Sequence, residues 1–281
     1  MQLWLDATDV DGDGQIDSLS DDSNLSVWVD KAGGDHNATQ SDINKRPSYK
    51  TNSINGHASI HFNNSEWFSF NEISDIRTVF WVVTNNGGTQ PMLGHSQSYH
   101  FHPDGSKFWS NQYASTFIKN GKTYLRGTEI DDSQTIRPIG SFIASLITTG
   151  DVEANRLNKD RGAGNNWNGK IGEILIFNEG LSEENMKKVG QYLSTKWNLV
   201  YSPNYAINSS TTDLGRAYLL NLMNLREASP AEVTRAKEGA TSGTVNAFSP
   251  TFKVGPGERP NKINEYGFDT GETDGFWVVP Q

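Results

Sequence analysis

The chain has 281 residues, of which 35% are hydrophobic and 20% are charged, and its formal net charge is −9. This charge argues against nucleic acid or an anionic membrane as a partner, because both repel an acidic protein surface. The sequence contains no cysteine, which excludes disulfides, thiol catalysis and cysteine-based metal sites. Its 27 glycines and many Asn, Ser and Thr residues favour short strands joined by polar turns over a helical protein.

The first predicted elements are a strand over residues 3–5 and an acidic loop over residues 9–17. The loop carries a carboxylate at its first, third, fifth and ninth positions. These carboxylates are Asp9, Asp11, Asp13 and Asp17. Gly14 permits a sharp turn, Gln15 can offer its backbone carbonyl, and Ile16 is expected to anchor the loop to a core.

Such a loop matches the needs of Ca²⁺, which takes about six to eight oxygen ligands. Without a cation, the neighbouring carboxylates would repel one another. The sequence therefore predicts a calcium-binding loop, and the alternative is a solvated acidic turn. The twelfth position holds Ser20 instead of a bidentate glutamate, so Asp21, Asp22 or a distant residue would have to complete the coordination.

Strand patterns dominate the sequence after this loop. The predicted strands cover residues 25–30, 58–62, 67–70, 77–84, 100–102, 107–109, 141–147 and 173–177. Residues 77–84 form a continuous apolar run, which is typical of a buried strand. Many short strands separated by turn residues indicate a β-sandwich or jelly roll.

One helix is predicted with clear boundaries. Ser182 is a good N-cap, and Glu183 and Glu184 lie at the positive end of the helix dipole. The helix is expected to run to about Trp197. Its apolar stripe consists of Met186, Val189, Leu193 and Trp197, and we expect it to pack against the sheet.

Several ordered sequence blocks resemble bacterial LamG-like, concanavalin A-like jelly-roll domains. The blocks are LWLDA (3–7), VWVDKAG (27–33), HNATQ (36–40), RPSY (46–49), NGHASIHF (55–62), NGKIGEILIFN (168–178), LSEE (181–184) and YLSTKW (192–197). The resemblance covers residues 1–200 and implies an all-β jelly-roll sandwich with one C-terminal amphipathic helix. It also implies a secreted or surface-anchored protein that binds a partner, often a glycan and often with calcium. Asp6 and Asp30 belong to these blocks, and we expect them to serve turns or the calcium shell.

Two loops are candidates for ligand recognition. The first is residues 160–169, in which Arg161, Asn165, Asn166 and Trp167 can donate, accept or stack on a sugar face. The second is residues 109–113, with Trp109 and Asn111 as the candidate contacts. The alternative for the first loop is a Gly-Asn turn whose Trp folds back on the core.

Catalytic patterns are incomplete. A retaining glucanase of this fold would need three carboxylates on one strand face, and residues 129–133 offer Glu129 and Asp131 with the third missing. A polysaccharide lyase would need a base such as His95 beside a residue such as Arg126. No complete catalytic motif is found, which argues against an enzyme without excluding one.

His100 and His102 would share one face of a strand, with His95 in the preceding turn, an arrangement that can ligate a transition metal. No companion carboxylate lies in register in the sequence, so a solvated or hydrogen-bonded face is the favoured interpretation.

Residues 201–281 are predicted to be a linker followed by a small mixed appendage. Asp213 is expected to cap a helix that runs to about Arg226, and residues 229–238 form a second candidate helix with capping-box spacing. The apolar segment 276–279 is expected to dock on the chain's own sandwich or to pair with a neighbouring subunit's sheet edge.

Three functions remain open. The first is an extracellular or cell-surface binding module, stabilised by calcium, that recognises a glycan or peptide in adhesion. The second is a structural or assembly subunit of a surface filament or coat, with self-association through the C-terminal tail. The third is a glycoside hydrolase or polysaccharide lyase. No apolar run approaches the length of a membrane span, so membrane insertion is not expected.

Overall fold

The fold was analysed in a computed structural model. It describes residues 1–63, 65–162 and 167–201, and the backbone of three short strands at 225–227, 252–254 and 276–280. The chain divides into two compact units, Met1–Pro203 and Asn204–Gln281. The predicted helices at 213–224 and 229–238 lie outside the described residues.

The first unit is an all-β structure built on antiparallel strands. Its strands are β1 (Leu3–Asp6), β2 (Val27–Trp28), β3 (Ala38–Thr39), β4 (Ser48–Ile54), β5 (His57–Asn63), β6 (Phe68–Asn85), β7 (Leu93–Gly94), β8 (Lys122–Leu125), β9 (Thr128–Ile130), β10 (Gly140–Leu157) and β11 (Asn168–Phe177). A short 3₁₀ helix covers Ile43–Lys45, and two α-helices follow, α1 (Thr116–Lys119) and α2 (Glu183–Trp197).

The sheet is organised around β6, whose neighbours are β10 on one edge and β11 on the other, within the order β4-β5-β11-β6-β10-β8-β9. β1 pairs with the second half of β11, and β7 pairs with the end of β10. β6 and β10 are 18 residues long, and three register shifts interrupt their pairing between Ile147 and Arg156. Such shifts bend the strands and redirect side chains, which matters for the sites described below.

The core contains the inward-facing side chains of the long strands. Val79, Trp81 and Val83 of β6 are at most 1% exposed, as the apolar run predicts. Four tryptophans are among the largest fully buried side chains: Trp28, Trp81, Trp167 and Trp197.

Helix α2 forms where the sequence predicts it. The Ser182 side chain accepts a hydrogen bond from the Asn185 amide, and Asn198 ends the helix in the left-handed conformation with φ 48°. Met186, Leu193 and Trp197 are buried against the sheet, and Val189 is partly buried.

Two predicted strands are wrong. Residues 100–102 lie in a turn in which the His102 amide donates to the Tyr99 carbonyl at 3.0 Å. Residues 107–109 contribute a single bridge, between Lys107 and Ile136. His100 and His102 therefore do not share a strand face.

The second unit contains a three-stranded antiparallel sheet in the order β12-β14-β13, formed by β12 (Leu225–Glu227), β13 (Phe252–Val254) and β14 (Phe276–Pro280). Residues 225–226 are thus in a strand instead of at the end of the predicted helix. The apolar C-terminal strand β14 is the central strand and pairs on both edges within its own unit. It is not the free strand that the sequence predicts for docking or for pairing with a neighbouring subunit.

Candidate functional site: an acidic loop and an exposed ring cluster

The acidic loop begins directly after β1 and folds its carboxylates toward one point. Asp9, Asp11 and Asp17 each offer one oxygen within 4.8 Å of the others. The Val10 amide donates to Asp17 Oδ2, and the Gly14 amide donates to Asp9 Oδ2 at 3.0 Å. These bonds wrap the backbone around the three carboxylates.

Positive backbone angles permit this wrapping. Gly12 has φ 73° and Gly14 has φ 87°, a region that side chains beyond glycine rarely adopt. The Asp13 amide donates to Asp11 Oδ1 at 3.2 Å, and the Gln15 amide donates to Asp13 Oδ1 at 2.7 Å. Asp13 and Gln15 are both exposed and lie outside the group of three converging carboxylates.

Asp9 is the buried member of the loop. Only 3% of the residue is exposed, and its Oδ2 lies 2.6 Å from Lys31 Nζ. Its Oδ1 is buried and has no hydrogen-bond partner in the part of the chain that the structure describes. A buried carboxylate oxygen without a donor is costly, and a bound cation would satisfy it.

Electrostatics also favour a cation here. Partial burial raises the pKa of Asp17, and the charges of Asp11 and Asp9 raise it further against the opposing hydrogen bond from Val10. Calcium–oxygen bonds of about 2.3–2.6 Å place neighbouring ligands within the spacing that these three oxygens have. The residues present therefore fit a calcium ion.

One detail of the predicted loop is corrected: Ile16 is 84% exposed and does not anchor the loop to the core. Of the residues that the sequence offers to complete the coordination, Asp21 accepts from the Thr51 amide at 2.8 Å and Asp22 forms an ion pair with Lys50. A distant residue is the other possibility that the sequence leaves open.

A buried ionic network connects the loop to the core. Lys31 bridges Asp9 and Asp6, with Nζ 3.1 Å from Asp6 Oδ2. Lys196 of α2 lies 2.7 Å from the same Asp6 oxygen and 2.9 Å from Glu173 Oε2 of β11. Asp6 thus belongs to this network, while Asp30 accepts from the Trp4 and Ala32 amides and stabilises a turn.

Asp6 should make the protein sensitive to acid. Burial alone would raise the pKa of Asp6, but the charge of Lys196 and hydrogen bonds from Lys196 and Thr8 outweigh it and lower the pKa below 3.8. A carboxylate with a lowered folded-state pKa contributes stability above its unfolded pKa, and this contribution is lost as pH falls through the folded value.

We therefore expect the free energy of unfolding of the wild type to fall steeply below about pH 4, and that of Asp6→Asn to fall less over the same range. Urea titrations at several pH values measure both slopes. Asp35→Asn, at an exposed carboxylate, is the control and should keep the wild-type slope. Equal slopes for wild type and Asp6→Asn would contradict the role of Asp6.

The predicted ligand loops are corrected at their tryptophans. Trp167 is 0% exposed and its Nε1 donates to Asn85 Oδ1 at 3.0 Å. Trp109 is 4% exposed and its Nε1 donates to Thr123 Oγ1 at 2.7 Å. Both rings belong to the core, so neither has a face on which a sugar can stack.

The other predicted contacts have different positions. Asn165 and Asn166 lie outside the described residues. Asn111 is exposed, and its backbone carbonyl accepts from Lys119 Nζ at 3.0 Å. Arg161 is also exposed, and its guanidinium carbon lies 4.0 Å from the centre of the Tyr99 ring.

Arg161 lies against Tyr99, whose ring belongs to a group of three. We call Tyr99, His102, Tyr113 and Arg161 the ring cluster. The centres of the Tyr99 and His102 rings are 4.9 Å apart, those of Tyr99 and Tyr113 5.7 Å, and those of His102 and Tyr113 5.5 Å. Tyr113 is 51% exposed, and Tyr99 and His102 are partly exposed.

The ring cluster is anchored by hydrogen bonds to the carboxylate of Asp160. His102 Nδ1 lies 2.6 Å from Asp160 Oδ2, and the Gly162 amide donates to the other oxygen of Asp160 at 2.9 Å. Asp160 is 7% exposed, so a buried carboxylate fixes both His102 and the backbone next to Arg161. No linear pattern joins Tyr99, Tyr113 and Arg161, so the sequence alone does not predict this cluster.

The segment considered for a glucanase motif has local partners. Glu129 forms an ion pair with Lys122 at 3.1 Å, and Asp132 accepts from the Thr123 hydroxyl at 2.6 Å. Asp131 accepts from the Ser133 amide and hydroxyl. Each carboxylate therefore stabilises the β8–β9 region.

No protein-family model matches the chain, and a search of curated proteins finds no match. Among the described residues, no helix has the length and apolar character needed to cross a membrane.

Proposed function

We propose that the chain is an extracellular or cell-surface binding module, stabilised by calcium, that recognises a glycan through the ring cluster. The observation that carries this proposal is the group of exposed rings beside Arg161. Tyr99, His102 and Tyr113 lie within 6 Å of one another by ring centre, and Tyr113 is half exposed.

The chemistry of the ring cluster suits a sugar. The C–H face of a pyranose packs on an aromatic ring, and the hydroxyls at its rim need donors and acceptors. Tyr hydroxyls provide both, and the Arg161 guanidinium offers a fork of donors. A peptide with an aromatic or acidic side chain is the alternative ligand for the same surface.

The fold is proposed to be a concanavalin A-like jelly roll. The sequence blocks that resemble this family coincide with β1, β5, β11 and α2, which are elements of the core. The long antiparallel strands with bends at their register shifts are consistent with the curved sheets of such domains.

Calcium has a stabilising role in this proposal. The acidic loop follows β1, whereas the ring cluster lies on the segment after β7 and on the residues after β10. The ion would hold a chain segment that no disulfide secures, since the sequence has no cysteine.

The test is a glycan array followed by calorimetry on the best ligand, with and without EGTA. We expect Tyr113→Ala and Arg161→Ala each to weaken binding by about tenfold, which is about 1.4 kcal/mol. Phe117→Ala is the matched control, because Phe117 is a 45% exposed ring outside the cluster. It should bind like the wild type.

Two results would overturn the proposal. One is the absence of binding to any glycan or peptide by correctly folded protein in either condition. The other is binding that survives both ring-cluster variants at wild-type strength, because the ligand would then lie elsewhere.

A further inference from the structure

A second group of ligating side chains gathers where β6 and β10 are bent by their register shifts. Glu72 lies on β6 and Glu153 on β10, and the segment after β7 brings His95 and His100 against them. His95 Nε2 is 2.7 Å from Glu72 Oε2, and His100 Nε2 is 3.1 Å from Glu153 Oε1. His95 Nδ1 is 3.7 Å from the same Glu153 oxygen.

We propose that His95, His100 and Glu153 bind a divalent transition-metal ion of the Zn²⁺ type, with Glu72 positioning His95. Nitrogen and carboxylate ligands at bond lengths of about 2.0–2.2 Å lie about 3.3–3.6 Å apart around a tetrahedral ion. The separations of 3.1 Å and 3.7 Å from Glu153 Oε1 to the two histidines bracket that spacing. The ring centres of His95 and His100 are 6.3 Å apart, whereas two imidazoles on one tetrahedral ion have centres about 5 Å apart, so His100 must move toward His95 by about 1 Å to share the ion.

The hydrogen bonds determine which nitrogen of His95 faces the ion. The Gln97 amide can only donate, and it points at His95 Nδ1 from 3.2 Å. Nδ1 is therefore unprotonated, and Nε2 carries the hydrogen that it donates to Glu72. An ion at Nδ1 would take over the lone pair that accepts from the Gln97 amide and the Ser98 hydroxyl in the ion-free protein. A carboxylate that accepts from the far nitrogen of a ligating histidine is the usual support of a metal site.

His100 needs one proton rearrangement. In the ion-free protein a hydrogen joins His100 Nε2 and Glu153 Oε1. The ion takes the place of that hydrogen, and His100 carries its proton on Nδ1 instead. The Ser98 hydroxyl, 2.8 Å from His95 Nδ1 and 3.4 Å from Glu153 Oε1, lies beside the remaining coordination position.

The charge of this group matches a divalent ion. With both histidines neutral, Glu72 and Glu153 contribute two negative charges. No lysine or arginine nitrogen within the described ranges comes within 4.0 Å of either carboxylate. A divalent ion would therefore balance the charge of the two carboxylates.

The site is supported on one side and open on the other. The side chain of His95 is 5% exposed, whereas those of His100 and Glu153 are 26% and 36% exposed, so a hydrated ion can enter. Asn155 fixes the loop by accepting from the Ser96 amide at 2.8 Å and donating to the Ser96 hydroxyl at 3.1 Å.

The site is tested by titrating metal-stripped, tag-free, full-length protein with Zn²⁺ in a calorimeter, and with Co²⁺ by visible absorption. We expect one equivalent to bind and Co²⁺ to give ligand-field bands. His95→Gln, His100→Gln and Glu153→Gln should each weaken Zn²⁺ binding by at least about 100-fold, and Glu72→Gln by about 10–100-fold. His61→Gln, at a histidine of β5, should bind like the wild type.

Controls separate this site from the acidic loop and from misfolding. Asp11→Asn should keep the Zn²⁺ equivalent, and excess Ca²⁺ should not displace it. Each variant is compared with the wild type by circular dichroism, and the partly exposed His100 provides a substitution that leaves the buried His95 intact. Absence of Zn²⁺ binding by wild type, or unchanged binding by folded His100→Gln and Glu153→Gln, would overturn the proposal. Loss of the Zn²⁺ equivalent in Asp11→Asn alone would assign the ion to the acidic loop and would also overturn it.

Discussion

Replacing Glu173 with alanine should lower the free energy of unfolding by about 3–5 kcal/mol, because it leaves buried donors and a buried cation without their acceptor. Glu173 is 0% exposed. Its Oε1 accepts from Trp4 Nε1 at 2.7 Å and from the Tyr192 hydroxyl at 2.9 Å. Its Oε2 accepts from Trp197 Nε1 at 2.7 Å and lies 2.9 Å from Lys196 Nζ.

Each of these partners depends on a charged acceptor at this position. Burial raises the pKa of Tyr192, and the charge of Glu173 raises it further. The phenol therefore stays protonated and donates a hydrogen bond to Glu173. Glu173→Gln should also be destabilising, by less than the alanine variant, because the amide retains one accepting oxygen but turns its NH₂ toward donors.

Equilibrium unfolding in urea measures both variants. Glu184→Ala is the control, because Glu184 is exposed, lies in the first turn of α2 and forms an i,i+4 pair with Lys188, and such pairs contribute about 0.3–0.5 kcal/mol. If Glu173→Ala cost no more than Glu184→Ala, the buried network would not be a principal source of stability.

The sequence predicts the parts of this molecule that depend on local spacing. Asp9, Asp11 and Asp17 are separated by only a few residues, so their convergence follows from carboxylates at the first, third and ninth loop positions, whereas Asp13 at the fifth position lies outside the group. The boundaries of α2 follow from Ser182 and its acidic first turn in the same way. The apolar run of β6 predicts a buried strand for a similar reason.

What the sequence does not predict depends on long-range contacts. His95 lies 23 residues after Glu72 and is separated from Glu153 by two further strands, so no linear pattern joins them. Both glutamates lie on the stretch where the register between β6 and β10 shifts, and they contact the histidines there, which corrects the expectation that no carboxylate accompanies them.

The burial of Trp167 and Trp109 is also not predicted by the composition of the segments around them. A tryptophan flanked by Asn, Ser and Gly residues has the composition of an exposed loop, yet both indoles are buried because Asn85 and Thr123 accept their Nε1 protons. Phe101 and Phe108 are buried as well, although turns instead of strands position them. Their sequence pattern predicts strands, but the burial of these aromatic rings does not require strand geometry.

The acidic loop and the Glu173 network are parts of one continuous set of ionic contacts. Asp9 contacts Lys31, Lys31 contacts Asp6, and Asp6 contacts Lys196, which contacts Glu173. A cation bound at Asp9 Oδ1 would therefore stabilise the loop at Asp9, the residue whose ion pair with Lys31 connects the loop to the core. Loss of the ion would leave the Asp9 carboxylate with Lys31 and the Gly14 amide as its partners among the described residues.

Removing calcium should therefore destabilise the protein substantially. A ligand that binds only the folded state at about 100 to 1,000 times its Kd stabilises it by about 2.7–4.1 kcal/mol. For a chain of this size, each kcal/mol corresponds to about 2–4 °C in Tm, so EGTA should lower the Tm by about 5–16 °C. Calorimetric scans in calcium, in EGTA and in equimolar magnesium measure the shift, and an identical Tm in all three would exclude a calcium site.

Asp11→Asn gives the most discriminating test of the calcium site, because its effect on the stability of the protein should have opposite signs in EGTA and in calcium. Asp11 is exposed, so Asp11→Asn removes no buried contact, whereas replacing Asp9 would also break its ion pair with Lys31. In EGTA, Asp11→Asn should leave stability unchanged or raise it slightly, because it relieves repulsion with Asp9 and Asp17. In calcium the same variant should lose most of the stabilisation by the ion and melt below the wild type. A solvated acidic turn without an ion would give the same small effect in both conditions, so only a calcium site produces the change of sign.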